Sequence, residues 1–130
     1  MTPTIAPYPL ARSRRLRRTG WLRDMVAEHR LDVADLIWPI FLIDGENVEA
    51  PVAAMPGVSR LSVDRAVLAA QQAADLGIRC MALFPYTDPS LKTPEAEQAW
   101  NPDNLVNRAT RAIKAAQPDM GIMLDVALDP

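Results

Sequence analysis

Cysteine is nearly missing from this chain of 130 residues, where Cys80 stands alone. A single thiol excludes an internal disulfide framework and suits a reducing compartment such as the cytoplasm. Histidine is as scarce: His29 has no second imidazole with which to share a metal ion. Lysine occurs only at Lys92 and Lys114, and aromatic residues make up 5% of the chain. No apolar run reaches the roughly 18 residues of a membrane span. No strand is followed by Gly-x-Gly-x-x-Gly, and there is no glycine-rich loop ending in Lys-Ser or Lys-Thr. The dinucleotide fold and the phosphate-cradling loop therefore have no support.

What is present is an ordinary globular composition, 49% hydrophobic and 23% charged, in a length sufficient for one small core. The formal net charge of −2 is unevenly spread. Arg12, Arg14, Arg15, Arg17, Arg18, Arg23 and Arg30 face only Asp24 and Glu28 in the first 30 residues, so the start is basic and the remainder acidic. Such a cluster can bind nucleic acid or a membrane surface, direct a protein to an organelle, or pack as an arm on another subunit. No aromatic residue interleaves the run from Arg12 to Arg18, as single-strand binding requires, and the arm reading is preferred: no nucleic acid and no membrane.

Pro3, Pro7 and Pro9 make the first residues extended. Trp21, Leu22, Met25 and Val26 share one face of a short amphipathic helix over 19–30, and Asp32 can cap a turn at 32–35. Leu36 to Ile43 is an unbroken apolar run, the signature of a strand buried on both faces, with Pro39 demanding a bulge or an irregular start. Residues 44–60 read as a long loop. Ser62 is a candidate N-cap for a helix whose apolar stripe is Val63, Val67, Ala70 and Ala74, running to Leu76 with Gly77 as its stop. Ile78 to Pro85 reads as a second buried strand, with Cys80 as a small buried hydrophobe. A loop of about 15 residues follows, holding Thr87, Asp88 and Lys92. Asn101-Pro102 reads as the start of a helix that buries Leu105, Val106, Ala109, Ala112, Ile113 and Ala116. A third strand spans 121–128. Alternating strands and helices with buried strands predict parallel α/β architecture.

The third strand carries the most chemistry. A period of two puts Asp125, Ala127 and Asp129 on one face, and same-side carboxylates at a strand tip sit where an α/β barrel keeps its active site. A whole barrel needs about 250 residues, so the chain reads as its opening portion, with the remainder expected beyond Pro130.

Six segments then carry a resemblance through their order and spacing: Arg17-Arg18-Thr19, Leu36-Ile37-Trp38-Pro39-Ile40-Phe41, Met55-Pro56-Gly57-Val58-Ser59-Arg60, Leu83-Phe84-Pro85, Asn101-Pro102-Asp103-Asn104-Leu105 and Asp125-Val126-Ala127-Leu128-Asp129-Pro130. From about Arg14 to Pro130 the chain resembles the N-terminal portion of the porphobilinogen synthases, also called 5-aminolevulinate dehydratases. The resemblance implies the N-terminal part of a (β/α)8 TIM barrel with an extended arm, the arm over 1–35 and the first barrel strands and helices over 36–130. It implies condensation of two 5-aminolevulinate molecules to porphobilinogen for tetrapyrrole synthesis. It also implies a homo-octamer or hexamer joined through the arm, which gives the basic start a task and disfavours a transit peptide.

Residue by residue, the resemblance makes Phe84 a lining of the substrate pocket, although a plain core aromatic would look the same. Asp125 matches an aspartate that holds or deprotonates a substrate amine. Ala127 and Asp129 stand where the zinc-dependent branch has cysteines, so the three-cysteine zinc site is not expected. Asp129 is instead a candidate ligand or neighbour of magnesium or a monovalent cation, or else a solvated strand-end carboxylate. The family's two Schiff-base lysines come from later strands. Lys92 in a polar loop and Lys114 on a helix's solvent side lack the apolar setting that lowers an amine pKa, so the 130-residue chain alone is expected to be inactive. The rival reading is a truncated, non-catalytic assembly module that docks on a full-length synthase. A different barrel aldolase would not share the Met55-Pro56-Gly57-Val58 segment or the Asp125 motif.

Overall fold

In the computed structural model, residues 6–12 and 14–127 are described. They belong to two compact units, Met1–Leu31 and Asp32–Pro130. In the first, a 3-10 turn at Arg15–Arg17 precedes α1, Gly20–Met25. The helix predicted over 19–30 is thus cut to six residues. Thr19 makes no side-chain cap, and Trp21 and Met25 are 62% and 75% exposed. A helix this short needs packing on its apolar face to extend, and among the described residues of this unit none of α1 is buried.

The second unit is a five-stranded sheet in the order β2-β3-β1-β4-β5. Its strands are β1, Ile37–Leu42; β2, Glu49–Pro51; β3, Ser59–Leu61; β4, Cys80–Pro85; and β5, Gly121–Leu124. β3, β1, β4 and β5 run parallel, and β2 pairs antiparallel with β3. Two long helices, α2 (Val63–Asp75) and α4 (Leu105–Ala116), link β3 to β4 and β4 to β5, with the short α3 (Glu97–Trp100) between them. Both long helices join one core with Ile40, Leu42, Met81 and Leu83. They therefore cover a single face of the sheet, without the reversal of winding that puts helices on both faces of an open α/β fold.

The core is built from small helix residues. α2 buries Ala66, Ala69, Ala70 and Ala73, a face rotated from the predicted stripe, whose Val63, Val67 and Ala74 pack partly buried against the same core, while Leu68 and Leu76 stay exposed. α4 buries Leu105, Ala109 and Ile113, and Val106, Ala112 and Ala116 are not buried. The strands are not buried on both faces as predicted. Alternation sends Trp38, Ile40 and Leu42 toward the helices and leaves Ile37 and Phe41 on the other side, where Ile37 is 44% exposed and Met123 of β5 is 50% exposed.

Pro39 needs no bulge, because β1 pairs with β4 without a break from Ile37 to Leu42. Ile43 donates its N–H to Leu61 O on the β3 side, so alternate residues 41 and 39 also direct their backbone there. β3 pairs only with Phe41 and Leu42. The N–H that Pro39 lacks falls where β3 offers no acceptor.

The segment 44–60 is not a plain loop but the β2–β3 hairpin, and Ser62 anchors it rather than capping α2. The fully buried Ser62 hydroxyl accepts from Val48 N–H at 2.9 Å and lies 2.6 Å from Asp64 Oδ1, to which it donates. That hydrogen bond, first among several, lowers the Asp64 pKa. Asp32 does cap its turn, accepting from Ala34 N–H at 3.0 Å while Asp35 accepts from Asp32 N–H at 2.8 Å.

Gly77 stops α2 as predicted, at φ +87°. Its N–H reaches Ala74 O at 3.0 Å and Ile78 N–H reaches Ala73 O at 2.9 Å, the paired bonds of a Schellman ending. Gly77→Ala is expected to destabilise the unit by about 1 kcal/mol, read as a lower urea midpoint with an unchanged slope. An unchanged midpoint would mean that the left-handed turn carries no strain.

Candidate active site at the carboxyl ends of the strands

The parallel register lays out the site. Arg60 of β3 pairs with Phe41 of β1, and Phe41 pairs with Phe84 of β4. Leu83 pairs with Leu124, the last residue of β5, so the strand expected over 121–128 stops at 124 and Asp125 and Ala127 follow it. Partners across a parallel ladder point to the same side. Arg60, Phe41 and Phe84 thus form one row on the helix-free face, at the carboxyl ends of the strands, and Asp125 follows directly on the end of β5. The Phe41 and Phe84 rings lie 5.8 Å apart between centroids, tilted by 36°.

At this end opens a cavity of about 300 Å³, walled by the strand tips, the segment after β4 and the start of α4. Phe84, Asp125 and Ala127 all line it. Two of the sequence-predicted site residues, Phe84 and Asp125, are therefore brought together. Phe84 is 41% exposed and lines this cavity. Asp129 lies outside the described residues. Among the described residues, no group of three His, Cys, Asp or Glu side chains could hold a metal ion.

The segment after β4, read from sequence as a loop, has its own structure. Asp88 accepts from Ser90 N–H at 2.9 Å and from the Ser90 hydroxyl at 2.6 Å, starting a 3-10 turn at Pro89–Leu91. These bonds, the hydroxyl first, hold the Asp88 carboxyl below its ordinary pKa. Glu97 is lowered too, chiefly by the hydrogen bond from the Thr93 hydroxyl. The predicted cap of the following helix is displaced: Asn104, not Asn101, accepts from Asn107 N–H at 2.9 Å, and α4 starts at Leu105. Asn101 instead ends α3 with a bond from its N–H to Glu97 O at 2.9 Å, while its side chain accepts from Asp103 N–H. Pro102 therefore lies in the connecting turn.

Sequence reasoning missed Asp44, Tyr86, Leu91, Asp103 and Arg108 as cavity lining. Asp44 and Arg108 meet at 2.5 Å, tying the loop after β1 to α4. They are separated by 64 residues, and no local pattern signals such a pair. Asp44, Asp88, Asp103 and Asp125 against Arg108 make the cavity acidic, a field that favours a cationic group over an anionic one. Neither lysine lines the cavity; Lys114 Nζ donates to Pro118 O and, at 3.0 Å, to Met120 O at the end of α4.

Residues 10–130 match the family profile described as Delta-aminolevulinic acid dehydratase. The chain belongs to this family. Among curated relatives, the Delta-aminolevulinic acid dehydratase of Bradyrhizobium diazoefficiens is 57% identical over 119 residues, 92% of this chain and 34% of the relative. That of Rhodobacter capsulatus is 47% identical over 130 residues, covering 100% of this chain and 39% of the relative. The crystal structure of the Toxoplasma gondii ME49 dehydratase (porphobilinogen synthase), in complex with its reaction product porphobilinogen, superposes with a TM-score of 0.85 at 41% identity. That match covers 91% of this chain and 33% of the other. The chain thus spans about a third of the length of the dehydratases it matches, and its mixed α/β sheet has the fold of the corresponding part of the solved synthase.

Proposed function

We propose that this chain contributes the first strands, and one side of the active site, to a porphobilinogen synthase that condenses two 5-aminolevulinate molecules. The observation that carries this reading is Phe84 and Asp125 in one cavity at the carboxyl ends of parallel strands. Helices on a single face suit the opening units of a (β/α)8 barrel, whose interior would be the face bearing Ile37, Phe41, Phe84 and Met123. Residues 1–35 would serve as the arm and 36–130 as barrel. The basic charge of the arm supports its use in joining subunits into a homo-octamer or hexamer, and the cytoplasm is the proposed compartment.

In this reading Asp125 receives the substrate's ammonium group and takes its proton when the free amine is needed, while Phe84 presents an apolar surface to the carbon chain. The acidic lining favours that ammonium over a second anion. An oxygen donor at Asp129, with a methyl group at Ala127, fits magnesium or a monovalent cation and not a three-cysteine zinc ion. Asp129 would hold such an ion, which would supply polarisation of a carbonyl oxygen.

The Schiff-base lysines are proposed to come from residues other than Lys92 and Lys114. Reduction with borohydride in the presence of 5-aminolevulinate tests this. Neither lysine should gain substrate mass, and the 130-residue chain should release no porphobilinogen. A stable adduct on Lys92 or Lys114 would overturn the assignment. The full-length protein should form porphobilinogen from 5-aminolevulinate alone, and failure to do so would sink the synthase reading. The exposure of both lysines on polar surface also favours, for the short chain by itself, the reading of a non-catalytic module that docks on a full-length synthase. Co-purification with a longer chain would support it.

A further inference from the structure

We infer that Arg60 is a positioning residue of the cavity, acting through Tyr86; the inference rests on the synthase reading above. The Arg60 guanidinium carbon lies 4.9 Å from the centroid of the Tyr86 ring, within cation–π range. Tyr86 is the first residue after β4, where it donates its N–H to Leu42 O at 2.9 Å, and it is one of the residues lining the cavity. Arg60 itself does not line the cavity.

The contact spans the sheet. Arg60 sits on β3, next to β1, and Tyr86 follows β4 on the other side of β1. The backbone of Tyr86 is held by β1, and the Arg60 guanidinium lies against the face of its ring. Tyr86 leads directly into Thr87, Asp88 and Leu91, which form the same wall. Fixing the ring therefore fixes the point from which this wall departs.

The β2–β3 hairpin gains a purpose from this arrangement. Its anchor, the buried Ser62 bonded to Val48 and Asp64, holds β3 in register. Arg60 is half-buried in the middle of that strand. The hairpin is a bracket, and Arg60 is its point of contact with the cavity wall.

Pre-organisation of a wall acts on binding more than on chemistry. In the full-length synthase, Arg60→Met is expected to raise KM for 5-aminolevulinate about fivefold, the weight of a partly shielded cation–π contact, with kcat within about twofold. R60K, which keeps a cation over the ring, should restore most of the loss. Tyr86→Leu should raise KM at least as much, and R60M should add nothing on the Y86L background. R60Q stands in for R60M should the latter not fold. Additive effects, a change confined to kcat, no recovery with R60K, or no effect at all would each overturn the inference.

If the wild-type protein forms no porphobilinogen, the synthase reading fails, and tyrosine nitration mapped by mass spectrometry judges the clasp alone. Tyr86 should be nitrated several times faster in R60M than in wild type or R60K. Equal rates would overturn the clasp.

Discussion

Asp125→Asn in the full-length synthase is expected to lower kcat for porphobilinogen formation about a hundredfold or more, the loss that follows removal of a positioned general base. Asparagine keeps the size and one oxygen acceptor of the side chain but can neither take a proton nor balance an ammonium charge. Asp125 is exposed and lines the cavity beside Phe84, so the substitution removes no packing and should leave the melting temperature within about 1 °C, as for surface changes in general. The division between KM and kcat tells the two parts of the proposed role apart. If the carboxylate only holds the amine, KM rises and kcat is kept. If it also removes a proton, kcat falls, and the remaining activity becomes steeper in its dependence on pH. Wild-type kcat and KM in the D125N enzyme would remove Asp125 from the mechanism.

The second large effect is a contrast between neighbours. Leu83 and Phe84 are adjacent on β4 and point to opposite faces of the sheet. Leu83 is 1% exposed within the core shared by α2 and α4. Leu83→Ala is expected to cost about 3 kcal/mol through lost burial and the cavity left behind. It should appear as a large fall in melting temperature, while enzyme that remains folded keeps KM near the wild-type value. Phe84→Ala should do the reverse. Phe84 is 41% exposed, so truncation costs little stability, but it removes the apolar wall facing Asp125 and should raise KM for 5-aminolevulinate about tenfold or more, as the loss of a well-buried apolar contact does. Thermal melts and steady-state kinetics on both variants decide the matter. If F84A melts as low as L83A with unchanged kinetics, Phe84 is core rather than pocket.

How far the sequence could be read follows from which signals are local. The apolar runs Leu36–Ile43 and Ile78–Pro85, the stop at Gly77 and the cap at Asp32 are each written within a few residues; the runs form strands at Ile37–Leu42 and Cys80–Pro85, buried on one face rather than two, and the stop and the cap are found where expected. Phe84 lies in β4 and Asp125 just past the end of β5, and both line the cavity, although the third strand ends at Leu124 rather than running to 128. The β2–β3 hairpin was not legible, because its strands have three residues each, too few for a period of two to stand out. Asp44 with Arg108, and Arg60 with Tyr86, meet only through the parallel register, and nothing in either local sequence points to the partner. The rotated face of α2 has another cause. Ala66, Ala69, Ala70 and Ala73 are small enough for close packing against the sheet and α4, and that fit outweighs the larger apolar surface of Leu68 and Leu76. Pro39 was misjudged because its cost depends on which neighbour lies on its N–H side and how far that neighbour runs.

That last point reaches beyond the geometry of one strand. The β3-side border of β1 has donors at Phe41 and Ile43 but none at Pro39, and β3 stops before the gap. A neighbour longer than β3 that lay along the whole border would bring a carbonyl to Pro39 and bury it without a donor, at a cost of about 1–3 kcal/mol. A short partner escapes that cost and a long one does not. The border therefore selects its neighbour by length: a three-residue strand such as β3 never meets the gap, and the proline sets how far along β1 that neighbour can usefully run.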